Sequence, residues 1–526
     1  MTKDDSPAFR YFLMLTTTLC GGLVMVVEVL GARVIGPYFG VSLFVWTALI
    51  TVTLLALSAG YAIGGHWADR KPSPDWLYGI IATSGVLVIL VPMLKPWVIQ
   101  ATVPMGLRAG ALASAILLFA PALVLLGCVS PYVVRIATRE WSRLGSTVGI
   151  LYALSTIGSM LGTALAGYVI IAYVGVARAF HLCGALLMLL GLVYLLLFRR
   201  KAVAVIGMLS LSVLFWRPAE QLPTAVLPDG TQARLIASRD SYYGNIKVVD
   251  YSGTRASIRE LLIDGMVQGG VDRNSGLSVY EYAYLLEALP MAVKPDARSA
   301  LIVGLGAGVV ADRLQRRDVD VEAIDIDPVV VQMAETHFNL RLKRPAVIED
   351  ARYFLAQDGR TYDIVIMDAF SGDATPSHLL SHEALARVKA RLAPDGVVAL
   401  NVISRNSADS LVVAAVVRTL HTQFSQVAFF PLFNTADPLA KGGNMVLIAS
   451  NRTLDAAFSA RVENVHPMAR ELIALGLRQG RLHGKTVAGP ILSDDFNPLD
   501  LLDVEMHETV RKSILENTPT AILLHG

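Results

Sequence analysis

The sequence is poor in charged residues and in cysteine. Asp, Glu, Lys and Arg make up only 17% of its 526 residues, whereas a soluble globular chain carries about 25%. Hydrophobic residues make up 54%, which excludes a disordered, collagen-like or coiled-coil protein. Cys20, Cys128 and Cys183 lie scattered in apolar runs, which excludes a disulfide framework and a cysteine metal site. We therefore expect a large part of the protein to lie in lipid.

Acidic residues are scarce in the N-terminal part. Residues 1–217 hold 15 of the 45 Lys and Arg residues but only 6 of the 43 Asp and Glu residues. Their positive charges separate apolar runs, so no nucleic-acid partner is expected. Six apolar stretches each reach the roughly 18–20 residues that cross a bilayer core. They cover about 11–35, 43–65, 77–94, 109–134, 147–174 and 179–198.

The basic loops predict the orientation of these spans. Arg70 and Lys71 follow the second stretch, Arg135 follows the fourth and Arg199 follows the sixth. The positive-inside rule places these loops in the cytoplasm of a bacterial-type inner membrane. A further apolar run, 202–216, has only about 15 residues and is interpreted as non-spanning. We expect an integral membrane helical domain over 1–217, followed by a cytoplasmic region.

The pattern of the sequence changes after about residue 218. Prolines form a linker, and strand-like alternation then predicts a small β module, so that the two together cover 218–275. Strands that alternate with helices predict a Rossmann-like α/β domain with a parallel sheet over 276–512. The remaining residues, 513–526, are expected to form a C-terminal tail.

A glycine-rich turn follows the first strand of the predicted α/β domain. The turn joins the strand Ala300–Val303 to a helix, and its glycines are Gly304, Gly306 and Gly308. Glycines allow a tight turn and the close approach of a ligand. Asp325 and Asp327 end the next strand, where a carboxylate can accept hydrogen bonds from ribose hydroxyls. The third glycine comes one position earlier than in dinucleotide-binding loops, which favours an S-adenosylmethionine-type nucleoside.

Further carboxylates follow the later strands. Asp350 follows the third strand, where it either accepts a hydrogen bond from an adenine amino group or caps a helix. Asp368 ends the fourth strand, at the sheet edge where open α/β folds bind ligands. A carboxylate there suits attack by an amine, because it orients the amine and takes its proton. Asp373, in the following loop, is a second candidate for this role.

These motifs resemble, in their order, those of the spermidine synthase (aminopropyltransferase) family. Residues 240–245 resemble the family's opening S-x-Y-Q element, and 262–268 match its L-D-G-x-x-Q element. The chain also resembles the membrane-fused branch of the family. Residues 60–71 resemble a loop of major-facilitator transporters. The N-terminal part, with its six spans, would correspond to half of such a transporter. The resemblance implies a multi-span helical membrane domain joined to a Rossmann-like domain of the S-adenosylmethionine-dependent transferase type.

The resemblance also implies roles for individual residues. The nucleoside of decarboxylated S-adenosylmethionine or S-adenosylmethionine would be bound by Gly304, Gly306, Gly308, Asp325, Asp327, Asp350, Ala351 and Gln268. The substrate side would include Tyr243, Asp264 and Tyr282, with Asp368 as the catalytic base. In place of the family's Y-[HQ]-E element this sequence has Tyr282-Ala283-Tyr284, which lacks the glutamate. Glu281 would supply that carboxylate if the alignment register slips.

Two adjacent carboxylates near the C-terminus complete the set of candidate residues. Asp494 and Asp495 either close over a cationic substrate or lie in a solvated turn. No metal site is expected, because His378 and His382 have no third ligand in view.

The sequence therefore predicts a membrane-anchored transferase in which an amine-like nucleophile, on a small molecule or a lipid, releases methylthioadenosine. The first alternative is methyl transfer, cyclisation or elimination on the same cofactor. The second is a transporter half whose soluble domain senses a nucleoside or a polyamine. The expected partners are the acceptor and the lipid bilayer, and a homo-oligomer stays open.

Overall fold

The computed structural model describes residues 6–40, 43–138, 144–199, 222–253, 256–357, 359–370, 376–405, 410–437, 440–484, 489–502 and 504–525. The run 202–216 and Asp373 lie outside these residues, as do several loops. The described chain divides into a unit of N-terminal helices and an α/β unit formed by Leu222–Arg239 and Tyr243–Leu523.

Six helices in the described part of the N-terminal unit are long and apolar enough to cross a membrane. They are α1 (Pro7–Phe39), α2 (Leu43–Arg70), α3 (Pro74–Thr102), α4 (Leu107–Ala137), α5 (Leu144–Leu165) and α6 (Val176–Tyr194). Ser6 and Ser73 cap α1 and α3, each directly before a proline at the first helical position. The six predicted apolar stretches are confirmed as helices that fit a membrane-embedded region.

Glycines let these helices approach each other closely. A Cβ atom added to Gly162 of α5 would lie 2.7 Å from Cα of Gly22 of α1, and one added to Gly60 of α2 would lie 2.8 Å from Cα of Gly127 of α4. Lipid tails are as apolar as leucine, so helix association in a bilayer depends on such packing. The glycines therefore stabilise the helical unit through backbone contact.

The α/β unit begins with a five-stranded antiparallel sheet in sequential order. Its described strands are β1 (Thr224–Val226), β2 (Gln232–Asp240), β3 (Asn245–Ser252), β4 (Ser257–Ile263) and β5 (Met266–Asp272). A two-residue turn, Asp264-Gly265, joins β4 to β5 with φ angles of +48° and +81°. Such left-handed turns match the twist of hairpin strands, which explains the Asp-Gly pair. The predicted β module is this sheet.

The second sheet contains eight strands in the described residues, in the order β13-β11-β12-β10-β9-β6-β7-β8. The strands are β6 (Ser299–Val303), β7 (Asp320–Asp325), β8 (Val347–Ile348), β9 (Tyr362–Met367), β10 (Leu392–Arg405), β11 (Gln426–Pro431), β12 (Gly442–Ser450) and β13 (Arg481–Leu482). The five strands from β10 to β8 pair in parallel, and β12 pairs antiparallel with β10. The expected Rossmann-like parallel sheet is thus confirmed, extended by antiparallel strands that the sequence did not predict.

Helices connect these strands. They are α7 (Tyr282–Val293), α8 (Val309–Gln315), α9 (Pro328–His337), α10 (Ala351–Ala356), α11 (His382–Ala390), α12 (Leu411–Leu420), α13 (Arg470–Gln479), α14 (Leu499–Leu502), α15 (Val504–Asn517) and α16 (Thr520–Leu524). The predicted boundary between the α/β domain and a tail, at 512, falls inside α15. Ile522 of α16 packs in the core of the first sheet with Val249 and Leu262. The last residues therefore complete the β module rather than trail from it.

The strand order creates a switch point beside β6. The chain leaves β6 for β7 and β8 on one side, and returns to β9 on the other side. Open α/β sheets bind ligands outside the carboxyl ends of their strands at such a point. The site is therefore expected where Gly304 follows β6 and Asp368 follows β9.

Candidate active site

The glycine loop is held close to both of its neighbours. Gly304, Gly306 and Gly308 have φ angles of +88°, +53° and +77°. A Cβ atom on Gly306 would lie 2.5 Å from the carbonyl oxygen of Gln268, and one on Gly304 would collide with the carbonyl oxygen of Asp368. Only glycine meets both the backbone and the steric requirement here. The loop thus brings β5, β6 and the end of β9 together.

Asp325 stabilises this loop from the end of β7. Its Oδ2 accepts a hydrogen bond from the backbone N–H of Leu305 at 2.9 Å, and its Oδ1 accepts one from the N–H of Asp327 at 2.9 Å. Burial raises the pKa of Asp325 to about 6, although these backbone donors favour the charged form. The carboxylate is therefore fixed beside the glycine loop, where a ribose would lie.

Two of the predicted nucleoside residues cap helices. The side chain of Asp327 is 2% exposed and accepts from the N–H of Val329 at 2.9 Å, which caps α9. Asp350 accepts from the N–H of Tyr353 at 3.0 Å, which caps α10, and Ala351 is the first residue of that helix. Asp350 is half-buried and borders an open pocket of about 470 Å³. It therefore caps a helix and also borders this pocket, and its predicted contact with an adenine stays a prediction.

Tyr243 lies near the same carboxylates. Burial, and then the charges of Asp327, Asp350 and Asp325, raise the pKa of its hydroxyl. Its ring is 48% exposed, so it remains accessible to a ligand. Tyr243 thus borders the nucleoside side of the site.

Asp368 follows β9 at the predicted position. Its Oδ1 accepts a hydrogen bond from Nδ2 of Asn401 at 2.9 Å. Burial raises the pKa of Asp368 to about 6, and the Asn401 bond partly opposes this rise. A carboxyl with a pKa near neutrality suits a general base.

Asn401 is a residue that sequence reasoning missed. It lies in β10, next to β9 in the sheet, and is 2% exposed. Its Oδ1 is buried and has no hydrogen-bond partner among the described residues. Such an acceptor is costly unless a water molecule or a ligand donates to it. The sequence offered one signal for Asn401: it is a polar residue at the end of an apolar run that was predicted to be a strand.

A group of acidic and aromatic side chains lies near Asp368. Burial, and then the carboxylates of Asp368 and Glu281, raise the pKa of Tyr282 far above its usual value. The rings of Tyr282 and Tyr280 lie 6.3 Å apart, and the Tyr280 hydroxyl donates to Glu260 at 2.5 Å. Burial raises the pKa of both Glu281 and Glu260. We call the carboxyl groups of Glu281 and Glu260 the acidic wall. Glu260 lies in β4, and sequence reasoning missed it.

Tyr284 does not replace the family's glutamate in the site. It is fully buried, its hydroxyl donates to the carbonyl of Ser278 at 2.7 Å, and the guanidinium of Arg313 lies 4.3 Å from its ring centroid. It belongs to the core of the α/β unit. Glu281, one residue before α7, is instead the carboxylate near Tyr282.

Asp264 forms part of a turn. It is 3% exposed, its Oδ1 accepts from the N–H of Asn245 at 2.9 Å, and its own N–H donates to the Asn245 carbonyl at 2.9 Å. These bonds connect Asp264 to Asn245, the first residue of β3. The structure thus gives Asp264 a role in the turn, and its predicted place on the substrate side stays a prediction.

Asp494 is paired with Arg352. The guanidinium of Arg352 bonds to the Asp494 carboxylate and holds the pKa of that carboxyl below its usual range. Both residues border the pocket beside Asp350, together with Asn497. Asp495 is exposed. The structure thus places Asp494 in an ion pair at this pocket, and closure of the segment over a substrate stays a prediction.

No group of three or more His, Cys, Asp or Glu side chains in the described ranges could hold a metal ion.

Comparison with known proteins agrees with this geometry. Residues 280–455 match the family model for the spermine/spermidine synthase domain. The C-terminal half of the chain thus includes a segment that matches a spermidine synthase domain. The matched segment includes the glycine loop, Asp325, Asp350, Asp368 and Asn401.

Curated relatives fall into two groups of transferases. The chain is 26% identical over 220 residues to a polyamine aminopropyltransferase of Vibrio vulnificus, covering 40% of this chain and 71% of the relative. It is 31% identical over 188 residues to an N-terminal histidine N-methyltransferase of Emericella nidulans, covering 32% of this chain and 33% of the relative. The chain thus spans one third of the second relative. Both groups identify the synthase domain as that of a transferase enzyme.

A solved spermidine synthase from Thermotoga maritima aligns with 50% of this chain and 92% of its own, at 16% identity and a TM-score of 0.37.

Proposed function

We propose that this protein is a membrane-anchored aminopropyltransferase. It takes decarboxylated S-adenosylmethionine and an amine, and it releases methylthioadenosine. The observation that carries the proposal is Asp368: a carboxyl at the switch point of the sheet, with a pKa of about 6, held by Asn401 beside Tyr282 and Glu281.

The described residues fit the nucleoside. The glycine loop leaves no room for side chains and so exposes backbone to a ligand. Asp325 beside that loop suits the ribose hydroxyls, and Asp350 suits the adenine amino group. Tyr243 lies near both carboxylates and can cover the nucleoside. Gln268 lies against the same loop through its carbonyl group.

The proposed reaction is a displacement at carbon. The nitrogen of the acceptor amine attacks the carbon next to the sulfonium, a C–N bond forms and the C–S bond breaks. The electron pair of that bond goes to sulfur, so neutral methylthioadenosine leaves. Asp368 accepts the proton that the new ammonium group loses. Asn401 holds Asp368 by donating to one oxygen, which leaves the other for the amine.

The acidic wall supports the decarboxylated co-substrate and a cationic acceptor. Glu281 and Glu260 add carboxyl groups around Tyr282 and Tyr280. A second carboxylate, on the tail of intact S-adenosylmethionine, would be repelled by ionised Asp368. An aminopropyl tail and a second amine would instead be attracted. The acceptor is an amine of a small molecule or of a lipid.

Methyl transfer is the second candidate, favoured by the similarity to the N-terminal histidine N-methyltransferase. It would use the same nucleoside site but leave S-adenosylhomocysteine. The test supplies purified full-length protein with both sulfonium nucleosides and a set of amines, and identifies the nucleoside product by mass spectrometry. Methylthioadenosine that forms only when an amine is present supports the proposal. S-adenosylhomocysteine supports methyl transfer, and methylthioadenosine without an amine supports cyclisation or elimination.

We also propose that the synthase domain faces the cytoplasm, where its co-substrate is made. The support is the even number of described candidate spans and the basic loops at α2 and α4. A Pro228→Cys variant should resist membrane-impermeant thiol reagents in intact cells and react after lysis. The native protein, whose three cysteines are buried, is the control. Labelling in intact cells would place the domain outside.

A further inference from the structure

The C-terminal segment is built into the β module. Ile522 of α16 is fully buried with Val249 and Leu262, and Nζ of the buried Lys247 donates to the carbonyl oxygen of Leu523 at 3.2 Å. Part of the framework that supports the site thus comes from the end of the chain.

Arg511 of α15 is the most unusual residue of this segment. It is 0% exposed and is the largest fully buried side chain among the described residues. Its Nη1 donates a hydrogen bond of 2.6 Å to the carbonyl oxygen of Asp264. A buried guanidinium is strongly unfavourable unless it makes good hydrogen bonds. This hydrogen bond ties α15 to the hairpin turn.

The turn that Arg511 holds leads directly to the site. The backbone N–H and Oδ1 of Asp264 bond to Asn245, two residues after Tyr243. The β5 strand that leaves the turn carries Gln268, whose carbonyl oxygen lies against Gly306 of the glycine loop. One contact from α15 thus bears on two segments that border the nucleoside.

We propose that Arg511 is a positioning residue of the synthase domain. It fixes the Asp264–Gln268 hairpin and the Tyr243 segment against the glycine loop, so the C-terminal helix forms part of the frame of the nucleoside site. The identity of the nucleoside rests on the function proposed above, whereas the positioning does not.

The first test measures binding of methylthioadenosine to the full-length protein by calorimetry. Arg511→Met should weaken binding by about tenfold, since a hydrogen bond from a charged group is lost. Arg511→Lys retains a charged donor and should recover part of the affinity. Ile514→Ala, in the same helix and also buried, is the matched control. It should lower the melting temperature yet leave the affinity within about twofold, as expected for a change outside the contact.

Equal loss of affinity in Arg511→Met and Ile514→Ala, at equal loss of melting temperature, would overturn the proposal. The loss of affinity in Arg511→Met would then result from lower stability alone. If Arg511→Met does not accumulate, the affinity and melting temperature of Arg511→Lys are compared with those of Ile514→Ala instead.

A second measurement separates this proposal from the function. Hydrogen exchange of the Asp264–Gln268 amides should be faster in Arg511→Met than in Ile514→Ala. Absence of nucleoside binding by the native protein would refute the proposed function, and the exchange rates would still decide the positioning role. Unchanged exchange in Arg511→Met would contradict that role.

Discussion

The proposed nucleoside side and the proposed acceptor side of the site are built in different ways. On the nucleoside side the backbone forms the surface: three glycines with positive φ, with Asp325 bonded to the amides of Leu305 and Asp327. On the acceptor side the surface consists of side chains from separate elements, with Asp368 after β9, Asn401 in β10 and Tyr282 in α7.

This difference has consequences for binding and for chemistry. A backbone surface is fixed by the fold and recognises what all sulfonium nucleosides share. A side-chain surface is set by the residues that each element supplies, so it can select among acceptors. We therefore expect substitutions on the two sides to separate nucleoside affinity from turnover.

The largest effect should come from Asp368→Asn. Turnover should fall by about 10²–10⁴-fold, the usual contribution of a general base. Affinity for methylthioadenosine should remain within about twofold, because the amide keeps the shape of the carboxyl. Steady-state kinetics and calorimetry on the same preparation measure both quantities. Near-normal turnover would move the base elsewhere, with Asp373 as the next residue to test.

The reciprocal change is Asp325→Ala. It should weaken nucleoside binding by about 1.5–3 kcal/mol, as expected for hydrogen bonds to a charged group. Turnover at saturating nucleoside should change much less than in Asp368→Asn. Asp495→Ala, an exposed carboxylate, is the control for loss of charge. Unchanged calorimetric affinity in Asp325→Ala would refute the ribose assignment.

The pH dependence should distinguish the same two residues. The pKa of Asp368 is raised to about 6, so its base form is lost as the pH falls through 6. Turnover at saturating substrates should therefore drop below pH 6 and level off above it, and Asp368→Asn should lack this limb. The pKa of Asp325 is also about 6, so nucleoside affinity should fall over the same range. An Asp325→Asn variant whose affinity still fell there would assign the titration to another group.

The smallest effect should come from Glu281→Gln. The KM for a cationic acceptor should rise by about fivefold, the size of one lost favourable polar interaction. Nucleoside affinity should not change, because Glu281 lies on the acceptor side near Tyr282. A neutral acceptor analogue provides the control, and its KM should stay constant. A larger effect on nucleoside affinity than on the acceptor KM would erase the distinction between the two sides.

The sequence predicted the fold and the position of the glycine loop because their signals are local. The six spans follow from apolar length, and the glycine loop follows from a strand, a turn and a helix within ten residues. Asn401 was missed because it acts through β10, a neighbour of β9 only in the folded sheet. The packing of α15 and α16 against the β module depends on contacts across more than two hundred residues. No periodicity in the sequence reports such contacts.

The central claim is that Asp368 assists transfer of an aminopropyl group from sulfur to nitrogen. The most direct measurement uses decarboxylated S-adenosylmethionine labelled in the aminopropyl group, with native protein and Asp368→Asn under saturating nucleoside. The account predicts that label appears in the amine and equals the methylthioadenosine released, and that both rates fall together in the variant. Label that stays with the nucleoside, or methylthioadenosine released without labelled amine, would contradict it.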